Sequence, residues 1–379
     1  MSAPLVPAPR LHVFLGTKAQ YNKTAPLLRL LDANGVDYHL IDSGQHAALS
    51  VGMRLDLGVR PPDVVLGSGR DITTVGAAAI WSARLAARLV RRRRLRAELF
   101  GGAAGGLCVV HGDTPSTLLA TLLARRAGLQ VAHLEAGLRS HSLLHPFPEE
   151  LIRLVVMRLS SLLFAPDATA VANLAAMGVK GRVVALEANT SMEAVAHALP
   201  GGQGGPGRHS AAGERDGGPA IVMLHRVENL HRAAAVAGFV DVVRRVAAAH
   251  PVRFVVHGPT AEVLRKRGHD KALVAAGVEL VPLVAHTEFV AMLAAAPLVV
   301  TDGGSVQEEC ALLGVPTLLW RARTERPDGL DANVVLARYD PAVVDAFLAD
   351  PARWRRTPTP TGARPSTQIL AELLTELTP

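Results

Sequence analysis

The sequence has little cysteine, few aromatic residues and no long apolar run. Its two cysteines, Cys108 and Cys310, lie in apolar contexts, so we expect buried thiols and no disulfide framework. Aromatic residues make up 4% of the chain, too few for the stacked rings that bind single-stranded nucleic acid. No apolar run approaches the roughly 18 residues that span a bilayer. We therefore expect no nucleic-acid partner and no insertion into a membrane.

Signals for secretion, metal binding and dinucleotide binding are also missing. The first residues, MSAPLVPAPR, do not combine a charged start with an apolar segment, so we expect no signal peptide and a cytoplasmic protein. The chain has no Cys/His spacing typical of a metal site. It also has no glycine-rich dinucleotide fingerprint followed by an acidic residue. We expect no metal and no cofactor.

Positive charge is concentrated in one arginine run. The net charge is +7, and residues 91–96 read RRRRLR at the end of a helical pattern that starts near Ile72. Such a run could bind phosphate or nucleic acid. Because the helix dipole favours cations at a helix C-terminus, we prefer the interpretation of a solvated helix end.

The chain length and the order of the apolar segments predict two α/β domains. With 379 residues, of which 49% are apolar, the chain is long for a single core. Strands alternate with helical patterns in both halves, which predicts doubly wound parallel sheets. We assign residues 1–190 and 191–379 to the two domains, with a glycine- and proline-rich surface insertion at 200–219. The last helix, Thr367–Leu377, could pack back on the first domain. Its predicted buried face comprises Ile369, Leu370, Leu373 and Leu374.

The most informative stretch lies in the first domain. Two apolar strands, Leu107–Val110 and Val131–Leu134, flank a helical pattern over Ser116–Arg126, which predicts a right-handed βαβ unit. Ligands of parallel sheets bind beyond the carboxyl ends of the strands. Asp113 and Glu135, which follow the two strands, should therefore project into one crevice.

A third acid, Glu149, follows a proline at the start of the next helix. Each acid taken alone also has a structural explanation, since Asp113 could cap a helix and Glu149 could complement a helix dipole. Unpaired carboxylates that converge repel one another and raise their pKa values, a cost usually found at functional sites. We therefore favour a functional site.

Two segments are suited to phosphate. The turn Gly16-Thr17-Lys18 and the nearby Lys23 place cations after the first strand, although Lys23 could equally be an exposed helix charge. The segment Gly303-Gly304-Ser305 precedes a helix, where backbone N–H groups bind anions, although Ser305 also suits an N-cap.

Two further residues of the second half could contact a nucleotide. His225 ends a strand and could donate to a phosphate, with a core histidine as the alternative. Glu309 lies one turn into the helix that follows Ser305. It is better suited to accept hydrogen bonds from ribose hydroxyls than to lie beside a phosphate.

The motifs resemble those of the non-hydrolysing UDP-N-acetylglucosamine 2-epimerases over nearly the whole chain. The matching segments are His111-Gly112-Asp113-Thr114, Glu135-Ala136-Gly137-Leu138-Arg139, Pro148-Glu149-Glu150 with Arg153, His225-Arg226 with Glu228-Asn229, Gln307-Glu308-Glu309, and Thr324-Glu325-Arg326-Pro327. The resemblance implies an α/β fold of two doubly wound Rossmann-like domains that face a central cleft, a glycosyltransferase-B-like architecture. It also implies that the first domain carries the catalytic carboxylates and the second binds the nucleotide diphosphate.

The resemblance also implies the site residues. The catalytic set would be Asp113, Glu135, Glu149 and His225. The substrate-binding set would be Lys18, Lys23, Arg139, Arg153, Phe289, Gly303, Gly304, Ser305, Glu309 and Arg326.

The implied reaction interconverts UDP-N-acetylglucosamine and UDP-N-acetylmannosamine. UDP is eliminated to leave a glycal, and then adds again after protonation on the other face. The expected partners are a UDP-sugar and, in a homodimer, a second copy of the chain. Three alternatives remain: 2-epimerisation of another nucleotide sugar, a glycosyltransferase of the same architecture, and a catalytically silent sugar-nucleotide sensor.

Overall fold

The computed structural model describes residues 10–45, 51–67, 75–143, 148–199, 217–359 and 362–378. The chain divides into two compact units, Met1–Ala194 with Ala363–Pro379, and Val195–Gly362. The last helix, Pro365–Leu377, therefore belongs to the first unit. Of the predicted insertion, residues 200–216 lie outside the described residues. No helix within the described ranges is long and apolar enough to cross a membrane.

The first unit is built on a parallel sheet with the strand order β3-β2-β1-β4-β5-β6-β7. Its strands are β1 (Leu11–Leu15), β2 (His39–Asp42), β3 (Val64–Val65), β4 (Leu107–His111), β5 (Gln130–Leu134), β6 (Leu162–Ala165) and β7 (Arg182–Ala185). Its helices are α1 (Lys18–Ala33), α2 (Val51–Leu57), α3 (Val75–Ala87), α4 (Arg92–Leu99), α5 (Pro115–Ala127), α6 (Glu149–Leu159), α7 (Ala168–Met177) and α8 (Ser191–Ala198), the last of which extends past the unit boundary.

Helices cover both faces of this sheet. Because successive strand residues point to opposite faces, Val13 of β1 packs with α1 and the last helix, whereas Phe14 packs with α4 and α5. Every residue of β1 and β4 is buried. The near-continuous apolar runs seen in the sequence follow from this two-sided burial.

The second unit repeats the plan with the strand order β10-β9-β8-β11-β12-β13, again parallel throughout. Its strands are β8 (Ala220–Met223), β9 (Val252–Val255), β10 (Val278–Val281), β11 (Val299–Thr301), β12 (Thr317–Leu319) and β13 (Val334–Leu336). Its helices are α9 (Val227–Leu230), α10 (Ala233–Ala247), α11 (Gly258–Lys266), α12 (His269–Ala275), α13 (His286–Ala295), α14 (Gly304–Leu313), α15 (Pro341–Ala349) and the 3₁₀ helix Pro351–Trp354, after which α16 (Pro365–Leu377) returns to the first unit.

The strand orders fix where ligands can approach. The order reverses between β1 and β4 in the first unit and between β8 and β11 in the second. In open α/β sheets the crevice at such a reversal, beyond the carboxyl ends of the strands, is the usual ligand site. The residues that follow these four strands are therefore the ones to inspect. The predicted α/β, doubly wound fold is confirmed by these two sheets.

The arginine run does not end a helix as predicted. Residue Arg91 is the N-cap of α4, so the run occupies the start of a second helix, and α3 has already ended at Ala87. Cations at a helix N-terminus oppose the dipole. The burial of Leu95 and Leu99 in the core explains why the helix forms nevertheless. Near the opposite end of α4, Glu98 contacts two arginines.

The two cysteines match their prediction. Both thiols are buried and free. Burial raises the pKa of Cys108 and of Cys310 to about 12, so neither thiol is ionised near neutral pH.

Within α16 the predicted apolar face is partly wrong. Ile369 and Leu373 are completely buried, but Leu374 is 40% exposed. Leu374 lies about 100° round the helix from Leu373 and therefore at the edge of the buried face that Ile369, Leu370 and Leu373 form.

We therefore predict that Leu373→Ala lowers the free energy of unfolding by about 2–5 kcal/mol, because it leaves a cavity between α16 and the first sheet. Leu374→Ala is the matched control and should change it by less than about 0.5 kcal/mol. Urea denaturation followed by circular dichroism measures both. Equal losses for the two variants would contradict the packing of α16 described here.

Candidate active site

The side chain of Gln20 hydrogen-bonds to the turns that follow β1 and β4, the two strands at the strand-order reversal of the first unit. Its side-chain carbonyl accepts from the backbone N–H groups of Gly16 and Thr17, at 2.8 and 3.1 Å. Its amide donates to the carbonyl of His111 at 2.7 Å. The turn after β1 therefore has a fixed position relative to the turn after β4, which carries Asp113.

Asp113 lies directly after β4 and is partly exposed. Gly112, with a φ of 70°, makes the turn that presents it. The helix that follows is capped by Thr114, whose side chain accepts from the N–H of Thr117. Asp113 is thus not the N-cap. Its carboxylate contacts the guanidinium of Arg153 instead, with 22% of the aspartate side chain exposed.

Glu135 follows β5 with an unusual backbone. Its φ of 65° lies in the left-handed region, which costs free energy in a residue with a side chain. Its carboxylate is 2.6 Å from the ammonium of Lys23 and accepts from the amide of Asn189 at 2.8 Å. A Cβ placed on Gly112 would lie 3.6 Å from the other carboxylate oxygen. The turns after β4 and β5 are therefore adjacent.

Two sequence-based expectations about this region are wrong. Asp113 and Glu135 are not unpaired acids that repel one another, because Arg153 and Lys23 contact them. Lys23 is also not an exposed helix charge, since only 7% of its side chain is accessible. Both errors concern contacts between segments far apart in the chain.

Glu149 is the first residue of α6, where its charge complements the helix dipole. Arg153 lies one turn later, and residues four apart share a helix face. Since Arg153 contacts Asp113, this face of α6 brings Glu149 towards the turn that carries Asp113. Between them in sequence, Glu150 is completely buried and contacts both Arg153 and Arg139.

His225 lies at the strand-order reversal of the second unit. The backbone N–H groups of His225 and Arg226 each donate to the buried carboxylate of Asp302 at 3.0 Å. The His225 ring stacks on His257 with centroids 5.3 Å apart, and 34% of the side chain is exposed. A core histidine is therefore the wrong interpretation. Burial of part of the ring lowers the pKa of His225, against the opposing charge of Asp302.

The N-terminus of α14 lies close to the ring of His225. Gly303 is the N-cap, so the expectation that Ser305 caps the helix is wrong. A Cβ on Gly303 would lie 2.6 Å from the His225 ring, and one on Gly304 would lie 3.1 Å from the guanidinium of Arg326. The two glycines thus allow a ring, a guanidinium and a helix N-terminus to converge, which suits an anion.

The remaining predicted residues are distributed over both units. Arg326 is buried and donates to Glu308 at 3.0 Å. Glu309 is within 2.9 Å of the ring nitrogen of His286. Phe289 lies in α13 with 8% of its surface exposed. In the first unit, Lys18 is the first residue of α1 and is half-buried.

Sequence reasoning assigned no role to several supporting residues, although one of them, Glu150, lies in a segment that matches the family: Gln20, Asn189, Glu150, His286 and Asp302. Most of them contact partners more than ten positions away, for which local periodicity carries no signal. Glu150 is the exception, because a glutamate three residues before Arg153 on a predicted helix is a recognisable spacing.

Comparison with protein-family models matches residues 29–352 to the model described as UDP-N-acetylglucosamine 2-epimerase. The chain belongs to this family. A protein of Methanocaldococcus jannaschii named UDP-N-acetylglucosamine 2-epimerase is 26% identical over 97% of this chain and 99% of its own length. The match to the family model confirms the predicted family.

Solved structures agree with the family assignment. The crystal structure of the M. jannaschii UDP-GlcNAc 2-epimerase in complex with UDP-GlcNAc and UDP superposes with a TM-score of 0.81, at 25% identity, over 96% of this chain and 99% of that one. A sucrose-phosphate synthase of Thermosynechococcus elongatus shares the fold, with a TM-score of 0.57 at 14% identity over 97% of both chains. The M. jannaschii epimerase, the sucrose-phosphate synthase and this chain therefore share one fold.

In this epimerase-family chain, Lys23→Met should lower the free energy of unfolding by about 3–5 kcal/mol. The methionine fills the space but leaves the carboxylate of Glu135 buried without its cation. The matched control is Lys266→Met, which removes the lysine of an exposed ion pair with Glu262 and should leave the urea midpoint unchanged. A Lys23 variant as stable as this control would show that the buried pair contributes nothing.

Proposed function

We propose that the chain is a non-hydrolysing UDP-N-acetylglucosamine 2-epimerase, an isomerase that interconverts UDP-N-acetylglucosamine and UDP-N-acetylmannosamine. The observation that carries the proposal is the placement of acids at one strand-order reversal and of an anion-binding helix N-terminus at the other. The ligands named in the M. jannaschii structure, UDP-GlcNAc and UDP, support the choice of substrate.

The proposed reaction has two balanced steps. In the first, a carboxylate takes the C2 proton while the C1–O bond breaks, so that UDP leaves and a C1=C2 glycal forms. In the second, an acid delivers a proton to the opposite face of C2, and a phosphate oxygen of UDP forms the C1–O bond again. No water is consumed, and no electrons are gained or lost. The step therefore needs two acid/base groups on opposite faces of the sugar.

The acid/base groups we propose are Asp113, Glu135 and Glu149. The basic residues around them have two roles. Arg153 and Lys23 hold the first two acids in place, as their contacts support. Arg139 and Lys18 complete the polar lining of this part of the substrate site.

The second unit would bind UDP. We propose that His225, Arg326 and the turn Gly303-Gly304-Ser305 hold the diphosphate and stabilise it as a leaving group, the turn through the N–H groups of Gly304 and Ser305, since the N–H of Gly303 donates to Thr301. Glu309 would accept from the ribose hydroxyls, and Phe289 would pack near the nucleotide. The convergence of the ring, the guanidinium and the glycine turn supports this assignment.

We further propose that the enzyme is a cytoplasmic homodimer. Helix α3 offers one surface for a second copy, because Ile80 is 58% exposed beside exposed alanines. Contiguous apolar surface of this kind is typical of protein–protein contacts.

Incubation with UDP-N-acetylglucosamine alone in deuterated water tests the function. We expect deuterium to enter C2 of both epimers, because the proton removed exchanges with solvent before its replacement is delivered. Mass spectrometry and proton NMR measure the label. Consumption of the sugar nucleotide only after an acceptor is added would instead indicate a glycosyltransferase. Binding without any turnover would indicate a sensor.

Each of Asp113→Asn, Glu135→Gln and Glu149→Gln should lower kcat by at least about a hundredfold, since an amide keeps the shape but cannot accept a proton. Glu98→Gln, which alters an exposed carboxylate on α4, is the control and should retain full activity. Thermal melting confirms that each variant is folded. Near-normal turnover in all three folded variants would rule out the acid/base mechanism.

A further inference from the structure

Glu150 is a buried acid that the proposed reaction does not use. Its side chain has no exposed surface and makes three contacts. The guanidinium of Arg139 donates to it at 2.5 Å, the backbone N–H of Ser140 at 2.9 Å, and Arg153 at 3.4 Å. A carboxylate buried among so many donors is ionised: burial raises the pKa of Glu150, but Ser140, Arg139 and Arg153 lower it further, to below its ordinary value.

These contacts join the chain segments that carry the three acids. Arg153 contacts Glu150 and also Asp113, so a guanidinium bridges the two carboxylates. Arg139 and Ser140 end the segment that begins with Glu135. Glu149 directly precedes Glu150 on α6. Glu150 is therefore linked to all three acid-carrying segments: through Arg153 to Asp113, through Arg139 and Ser140 to the segment that begins with Glu135, and directly along α6 to Glu149.

We propose that Glu150 is a positioning residue for epimerisation. Its carboxylate orients Arg153 towards Asp113 and anchors the segment 135–140, and it thereby sets the placement of the acid/base groups. This inference rests on the function proposed above. A misplacement of a reacting group by about 1 Å can cost on the order of a hundredfold in rate, which is the scale of effect that such a residue controls.

A second buried glutamate of the same unit provides a matched control. Glu193 on α8 accepts from the backbone N–H of Ser366 at 2.9 Å, and burial raises the pKa of Glu193 above its ordinary value although Ser366, Arg364 and Arg29 oppose the rise. It is a buried acid held by an amide and near arginines, as Glu150 is. Arg29 lies in α1, and Arg364 and Ser366 lie at the start of α16. Neither helix carries an acid of the proposed site.

The first test compares the two glutamates. Glu150→Gln should lower kcat on the order of 10- to 100-fold, with KM for UDP-N-acetylglucosamine and Kd for UDP changed less than about threefold. Glu193→Gln should lower the melting temperature and leave kcat unchanged. If Glu150→Gln changes only the melting temperature, as the control does, Glu150 has a merely structural role and the proposal is overturned.

A double-mutant cycle tests the route through Arg153. If Glu150 acts through Asp113, the loss of kcat caused by Glu150→Gln should be smaller by about tenfold when Asp113 has already been replaced by asparagine. An identical loss in both backgrounds would show that the two residues act independently, and the positioning route would then be wrong.

Hydrogen exchange separates this inference from the function. Glu150→Gln should speed amide exchange in peptides that cover 135–143, where the N–H of Ser140 loses its charged acceptor, and Glu193→Gln should not. If the wild type shows no epimerisation, the proposed function fails whatever Glu150 does. If the wild type is active but exchange and kcat are unchanged in Glu150→Gln, the function stands and the positioning role fails.

Discussion

A carboxylate removed from water must be compensated by a cation or by several N–H donors. This requirement accounts for the contacts of the buried acids in each unit. Glu135 has Lys23, Asp113 has Arg153, and Glu150 has two arginines and an amide. In the second unit the carboxylate of Asp302 accepts from the N–H groups of two residues and from a side-chain amide, and the ring of His225 lies 3.3 Å from it. Removing any one partner would leave a charge in a poorly solvated place, which is far more costly than losing a surface contact.

The sheets explain why these charges occur where they do. A parallel sheet buried on both faces has room for polar side chains only beyond its strand ends, and the reversal of strand order opens a crevice there. The same rule places the Asp113 turn after β4 and the glycine turn after β11. Polar side chains therefore gather at the strand ends of each unit: acids paired with cations in the first, and in the second a histidine and an arginine beside a helix N-terminus, to which we assign the diphosphate. A reaction that removes a proton while a diphosphate leaves needs both kinds.

Backbone geometry contributes to the precision of the site. Glu135 holds a left-handed conformation that a non-glycine residue adopts at a cost, and the contacts of its carboxylate hold it there. Gly303 and Gly304 are required by a close approach rather than by their φ angles, since a Cβ on Gly303 would overlap the His225 ring. The strained backbone at Glu135 and the absence of a Cβ at Gly303 and Gly304 each allow polar groups to come close together.

The sequence by itself determined the parts that depend on neighbouring residues. Apolar runs identified most strands and helices, and the residues after β4, β5, β8 and β11 were recognised because strand ends are where ligands bind. The motifs also identified the family correctly. The three-residue strand β13 was not predicted, although β11, of the same length, was.

Only the tertiary structure decided the rest. The arginine run begins a helix because Leu95 and Leu99 are taken into the core. Leu374 is 40% exposed because it lies at the edge of the face that α16 packs against the first unit, whereas Leu373 lies within that face. Lys23 contacts an acid 112 positions later in the chain. Periodicity and capping preferences act over a few residues, whereas these outcomes depend on which distant segments the sheets bring into contact, and that is decided by packing and by the need to compensate buried charge.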